Sequence, residues 1–421
     1  MRIPIGTQLA YTSEGLELEG IALQALAQQH GTPLFVYSKT AMLDALSAYQ
    51  RGLQGRNARI HYAMKANSNL AILQTFIQAG CGMDIVSGGE LARALQAGCA
   101  PEHIIFSGVG KTPDEMRHAL RVGIGCFNVE SLAELHALNA VAAEMNVRAP
   151  ISLRVNPDVD ANTHPYISTG LKDNKFGVAH EEAIAAYELA HQMPHIEVLG
   201  IDCHIGSQIT QPGPYLDAMD KMLDLVAAIE ARGILLRHID FGGGLGIDYQ
   251  GDTPPAADVL WSGLLAKIDA RGWGERHLCI EPGRSLIGNA GVCLTQVQYL
   301  KPGSHKNFCI IDAAMNDLPR PALYQAYHEI LPIRVRAGAH QTYDVVGPVC
   351  ESGDWIGKDR ELCVEPGDYL AVASAGAYCM SMASNYNTRN RAKELLIDGG
   401  QVHVIRERES YASQWQDERM I

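Results

Sequence analysis

The sequence predicts an α/β plus β protein: a (β/α)8 TIM barrel followed by a C-terminal domain of β-sandwich or β-barrel type. Two observations carry this expectation. From about residue 58 to 281, eight short apolar, β-rich runs alternate with stretches that repeat apolar residues at helical spacing; after residue 285, strand-like runs follow one another across turns. Strands buried on both faces read as continuous apolar runs, and eight βα units in series imply a closed parallel sheet.

The runs, in order, are ARIHYAMK (58–65), MDIVS (83–87), HIIFS (103–107), IGCFNV (124–129), PISLRVN (150–156), EVLGIDCHI (197–205), LRHIDF (236–241) and HLCIE (277–281). The clearest helix start between them is Thr112-Pro113-Asp114-Glu115, where Thr112 can cap, Pro113 fits the first turn and Glu115 can close a capping box. Helical spacing also runs through 131–146 and 215–233, the latter stopping on Gly233. One connection, DVDANTHPYISTGLKDNKFG (158–177), is long, polar and rich in turn formers, and such loops are often lids. Beyond 285, VCLTQVQYL, NFCIIDA, YHEILPIRV, TYDVVGPVC, DYLAVAS and QVHVIRE read as strands, with helical stretches confined to segments such as MSMASNYN; residues 380–394 read as helix-rich and suggest no function. The expected division is a barrel over 35–284 and a β domain from 1–34 and 285–421.

Composition excludes several function classes. At 421 residues, with 47% hydrophobic and 19% charged residues, the chain is an ordinary globular one of two or three domains. A formal charge of −13 and the lack of a Lys/Arg block argue against nucleic acid as a partner. No apolar run approaches the roughly 18 residues of a membrane span, and the N-terminus lacks the basic start and apolar core of a signal peptide, so a cytoplasmic protein is expected. The 10 cysteines form no CxxC pair and read mostly as reduced core thiols.

Active sites of such barrels lie at the C-terminal ends of the strands. The polar residues there are Lys65 at the end of the first run, Asp84 in the second, Asn156 at the end of the fifth, His204 at the end of the sixth, Gly242, Gly243 and Gly244 after the seventh and Glu281 at the end of the eighth. Taken singly, a lysine here can simply cover apolar surface, a glycine run can be a tight turn, and a lone His or Glu is more often structural. Together they compose one chemistry. Lys65 can form a Schiff base with an aldehyde, the glycine run exposes N–H groups where barrels bind phosphate, Glu281 can keep a pyridine nitrogen protonated, and His204 can lie against the ring. The cofactor this combination points to is pyridoxal 5′-phosphate, with no metal ion.

The segments YAMKAN, GCGMDIVSGGEL, THPYISTGLKDNKFG, HIGSQI, FGGGLG, EPGR, DAAMNDLPRPALY, GPVCESGDW and GAYCMSMASNYN span nearly the whole chain. In this order they resemble the barrel-fold, alanine-racemase-like pyridoxal-phosphate decarboxylases, most closely the branch acting on meso-diaminopimelate. The resemblance implies that Lys65 carries the cofactor, His204 stacks on its ring and Glu281 holds its ring nitrogen. It also places Ser207, Gly242 to Gly244, Gly283 and Arg284 around the phosphate, and has Tyr378 close the pocket. It further implies a homodimer in which Cys350 and Glu351 reach the partner's active site, with Cys350 as the acid that reprotonates Cα.

A substrate with a second carboxylate and a second ammonium needs partners of both signs. Arg284, Arg320 and Tyr324 suit the carboxylate and Glu351 the ammonium. The expected reaction is decarboxylation at the D centre of meso-2,6-diaminopimelate to L-lysine. The alternatives are an ornithine- or arginine-type decarboxylase, which has no need of Arg320, a racemase, and a non-catalytic binding homologue, which would have lost Lys65 or Cys350.

Overall fold

A computed structural model describes residues 2–160 and 175–421. The expected barrel is present, and its strands are numbered here among themselves: β1 (Ala58–Ala63), β2 (Gly82–Ile85), β3 (Ile104–Phe106), β4 (Cys126–Val129), β5 (Ala149–Asn156), β6 (Ile196–Asp202), β7 (His238–Asp240) and β8 (His277–Ile280). All neighbours are parallel, and β8 pairs back onto β1 from Leu278 opposite Ala58 to Ile280 opposite Ile60, which closes the ring. Each sequence run overlaps its strand, with β2, β5 and β6 starting one residue earlier, at Gly82, Ala149 and Ile196. The first run overshoots: Met64–Ala66 is a 3-10 turn, so Lys65 sits just past the strand end.

Local signals fix the outer helices. Thr112 caps Pro113–Val122 through a complete capping box with Glu115, and the helix ends on Gly123 in the left-handed region. Ser131 caps Leu132–Glu144. The helix expected to stop on Gly233 ends earlier, spanning Gly213–Glu230, and the Gly233 N–H returns to Glu230 O at 2.9 Å to close the turn beyond it. Of the long connection at 158–177, residues 161–174 lie outside the described residues, so the lid expectation falls there.

The chain divides into two compact units, one of residues 46–246 and 253–285, the other of residues 1–45, 247–252 and 286–421. The second is built on a nine-stranded mixed sheet and a three-stranded antiparallel sheet formed by Leu9–Thr12, Gly15–Leu18 and Ile21–Ala22. Its core joins Leu16, Leu18, Leu23 and Leu26 to Leu34, Val36, Val292, Leu294, Leu331 and Leu395. The strand Leu34–Ser38 lies beyond the expected boundary at residue 34, yet it pairs antiparallel with Gly291–Lys301 and parallel with Lys393–Asp398, inside the mixed sheet. All five of its residues are buried, as a central strand requires.

Beyond residue 285, two strands have no counterpart among the strand-like runs. Trp355–Leu362 carries Lys358, Asp359, Arg360 and Glu361, which mask its pattern. Lys393–Asp398 begins inside the stretch expected to be helix-rich. That expectation is corrected: residues 380–394 hold only the short 3-10 turns Met380–Met382 and Tyr386–Thr388 before this strand. Among the described residues, no helix is long and apolar enough to cross a membrane.

Candidate active site

At the C-terminal mouth of the barrel, Lys65 Nζ donates to Asp84 Oδ2 at 2.6 Å, and the Asp84 carboxyl is fully buried. Its Oδ1 meets no donor among the described residues. On the neighbouring strand, Glu281 follows β8 and accepts from Asn128 Nδ2 of β4, across the mouth, at 3.2 Å. Burial first, then the neighbouring Asp240, Asp84 and Asp202, hold the Glu281 carboxyl well above the usual carboxylate range, while Lys65 opposes them.

His204 Nδ1 accepts from the Gly243 N–H at 3.2 Å, which leaves the ring's proton to Nε2. Burial, reinforced by the positive charges of Arg154 and Lys65, pushes the imidazole well below its ordinary value, so it is neutral. The glycine run is a steric necessity. A Cβ on Gly243 would lie 2.1 Å from Glu281 O, and one on Gly242, whose φ is +62°, 2.5 Å from Cys203 O. Arg284 donates from Nε and Nη2 to Ser207 Oγ at 3.2 and 2.9 Å, and Gly283 packs against Ala63 and Ala66 on either side of Lys65. The barrel mouth thus brings together Lys65, Asp84, His204, Ser207, Gly242 to Gly244, Glu281, Gly283 and Arg284. Asn156 instead closes its own turn, its Oδ1 accepting from the Asp158 N–H at 3.0 Å.

Sequence reasoning passed over the layer beneath. Arg154 on β5 is buried and bound to Glu130 at 3.0 Å, and Asn128 bridges Ser107 and Glu281. Asp202, Asp240 and Glu281 offer carboxylate oxygens all within 4.8 Å of one another. The strand-end rule that found Glu281 could have found these too, because Asp202 ends β6 and Asp240 ends β7.

Of the residues expected to meet the far end of a substrate, Arg284 belongs to the barrel unit, where it binds Ser207, and Arg320, Tyr324 and Glu351 stand in the β unit. Arg320 is buried; Nη1 donates to His328 Nε2 at 2.8 Å and the guanidinium lies 4.7 Å from the Tyr249 ring centre. His328 Nδ1 faces Ala373 O at 2.9 Å, which fixes the tautomer as Nδ1–H. Tyr324 closes the short helix Arg320–Tyr324. Cys350 is exposed, its N–H bound to Asn387 Oδ1 at 2.9 Å, and Glu351 accepts from the Tyr386 hydroxyl. Tyr378 has φ +57°, a conformation side chains rarely adopt and one that clusters at functional sites.

Pyridoxal phosphate fits the barrel mouth on the chain's own features. The glycine loop has no room for side chains where a phosphate would need backbone N–H groups, and the buried Asp84 Oδ1, which meets no donor among the described residues, lies beside the Lys65 amine. Residues 40–288 match the family model described as pyridoxal-dependent decarboxylase, pyridoxal binding domain. The chain is 52% identical to diaminopimelate decarboxylases of Vibrio cholerae, over 98% of both chains, and of Pseudomonas aeruginosa, over 98% of this chain and 99% of that one. The crystal structure of diaminopimelate decarboxylase from Helicobacter pylori complexed with L-lysine is 41% identical, with a TM-score of 0.90 over 94% of this chain and 99% of that one. The enzyme from M. jannaschii in co-complex with L-lysine is 37% identical, with a TM-score of 0.93 over 99% of both. With Lys65, Glu281 and the Gly242 to Gly244 run at one barrel mouth and this likeness along the whole chain, the protein belongs to the diaminopimelate decarboxylase family of pyridoxal-phosphate-dependent carboxy-lyases.

Proposed function

We propose that the protein decarboxylates meso-2,6-diaminopimelate at its D centre, giving L-lysine and CO2 as the last step of lysine biosynthesis. The observation that supports this best is the convergence of Lys65, His204 and Glu281 on one barrel mouth, in a chain half identical to diaminopimelate decarboxylases over nearly its full length.

Bound pyridoxal phosphate supplies the electron sink for the pair left when the Cα–carboxylate bond breaks. In the reading proposed here, Lys65 holds the cofactor's aldehyde end, with Asp84 beside its Nζ. Glu281 holds the ring nitrogen and His204, uncharged, covers a ring face without adding positive charge there. Arg284 reaches Ser207 next to the glycine run, so the phosphate end is met by both a cation and backbone N–H groups. A proton must replace the lost carboxylate at Cα. Cys350 Sγ donates it and recovers one from solvent, which its exposure in the single chain permits. Arg320 and Tyr324 bind the distal carboxylate and Glu351 the distal ammonium, and Tyr378 closes the pocket. A homodimer that brings Cys350 and Glu351 to the partner's barrel mouth, and a cytoplasmic location, belong to the same reading.

The test is to supply the PLP-loaded protein separately with meso-diaminopimelate, ornithine and arginine and to follow CO2 and amine product. Lysine from diaminopimelate alone is expected. Turnover of ornithine or arginine instead would overturn the roles of Arg320 and Glu351, and turnover of none would favour a binding homologue.

A further inference from the structure

Asp240 and Asp202 have no part in the steps above, yet they sit directly behind Glu281. Asp240 Oδ1 accepts from the Gly242 N–H at 2.8 Å, whereas its buried Oδ2 finds no N–H or O–H donor among the described residues. Asp202 Oδ1 is left in the same position. Three carboxyls whose oxygens lie within 4.8 Å of one another, all shielded from water, cannot all stay ionised. The groups facing Asp240 do not neutralise them. Against Asp240 lie Lys65 just past β1, Asp84 of β2, Cys126 of β4, Asp202 of β6 with Cys203 just past it, and Cys279 of β8 with Glu281 just past it, while Arg154 with its partner Glu130 faces Asp202. Lys65 and Arg154 are the cations in this set, and each already holds a carboxylate. A proton between two carboxyls turns one into a donor and gives the orphaned oxygen its partner. The side chains of Asp240 and Glu281 are placed for such a bond.

We propose that Asp240 is a positioning residue for the cofactor: it shares one proton with Glu281, with Asp202 behind the pair, and so fixes the orientation and proton affinity of the carboxyl that holds the ring nitrogen. The proposal rests on the reading of Glu281 given above. Through its bond to Gly242, the same aspartate also couples the ring-nitrogen end of the site to the phosphate cradle. Burial pushes Asp240 up to about 7, so the shared proton is exchangeable near neutrality.

The experiment is a set of titrations on the wild type, Asp240→Asn and Glu281→Gln, each prepared as apoprotein and reloaded with PLP. Proton exchange with weakly buffered solvent on PLP binding, and the absorbance of bound cofactor against pH, are the readouts. The wild type is expected to show a step in both near pH 7, which Asp240→Asn removes while lowering PLP affinity about 10-fold, as supporting residues of a cofactor site do. Unchanged profiles in Asp240→Asn overturn the proposal. A Glu281→Gln protein whose cofactor spectrum and affinity match the wild type overturns the Glu281 reading instead. If Asp240→Asn does not fold, infrared spectra of the wild-type apoprotein decide. A buried protonated-carboxyl band that persists to about pH 6 and disappears above about pH 8 supports the shared proton, and its absence overturns it.

Discussion

Lys65 Nζ lies 2.6 Å from Asp84 Oδ2, so an ammonium that is partly open to solvent is paired with a carboxyl that is wholly closed to it. The aspartate is the fixed member and the lysine the movable one. Lys65→Ala is expected to abolish CO2 release and to prevent borohydride from fixing the cofactor to the protein. Retained covalent labelling at another lysine would refute the assignment.

Cys350 is exposed while the other cysteines except Cys363 are buried, so it is the thiol best able to exchange protons with solvent. Cys350→Ala is expected to lower kcat by roughly 10²- to 10⁴-fold, the usual effect of losing a general acid. PLP absorbance should stay unchanged. A variant with wild-type kcat assigns the proton to another group.

Arg320 is gripped before any substrate arrives, by His328 Nε2 at 2.8 Å and by the Tyr249 ring. Arg320→Met should raise KM for diaminopimelate roughly 10- to 100-fold, the value of charge-assisted hydrogen bonds to one carboxylate. L-lysine keeps the distal carboxylate, so inhibition by L-lysine should weaken by a similar factor, and undiminished inhibition would place Arg320 elsewhere.

Asp317 in the β unit is pushed up to about 7 by burial, although the Ala314 N–H opposes the rise. The native state therefore keeps a proton that the unfolded chain, with an ordinary carboxylate near 4, has already lost. Stability falls as pH rises between these values and levels off above about 7. Asp317→Asn should flatten that slope, and urea midpoints measured at about pH 5 and about pH 7.5 would show it. Parallel slopes in variant and wild type would rule out Asp317 as the cause.

The barrel was legible because each strand is a continuous apolar run, the stretches between repeat apolar residues at helical spacing, and Thr112 marks one helix start with a capping box. The upper layer of the site was legible for a related reason: Lys65, His204, Gly242 to Gly244 and Glu281 stand at strand ends, where position alone marks them. Asp202, Asp240 and Arg154 stand in the same runs but were read as parts of strands. Their meaning depends on which side chains converge inside the ring, and that is a property of closure rather than of any one run. Trp355–Leu362 was hidden because alternating charge on a strand resembles a loop. Leu34–Ser38 falls across the expected boundary at residue 34 because nothing in an apolar strand tells which of two sheets it will join.

The short segment Ile247–Asp252 leaves the barrel sequence to join the β unit, where Asp248 receives Arg2 at 3.0 and 2.7 Å and Tyr249 lies under Arg320. The β unit is therefore stitched from three pieces of chain. A chimera cut only at residues 45 and 286 would inherit Arg320 without the ring beneath it and Arg2 without its carboxylate. Moving this unit between relatives requires transplanting six residues from the middle of the barrel gene as well, so the two modules can be exchanged only together with that thread.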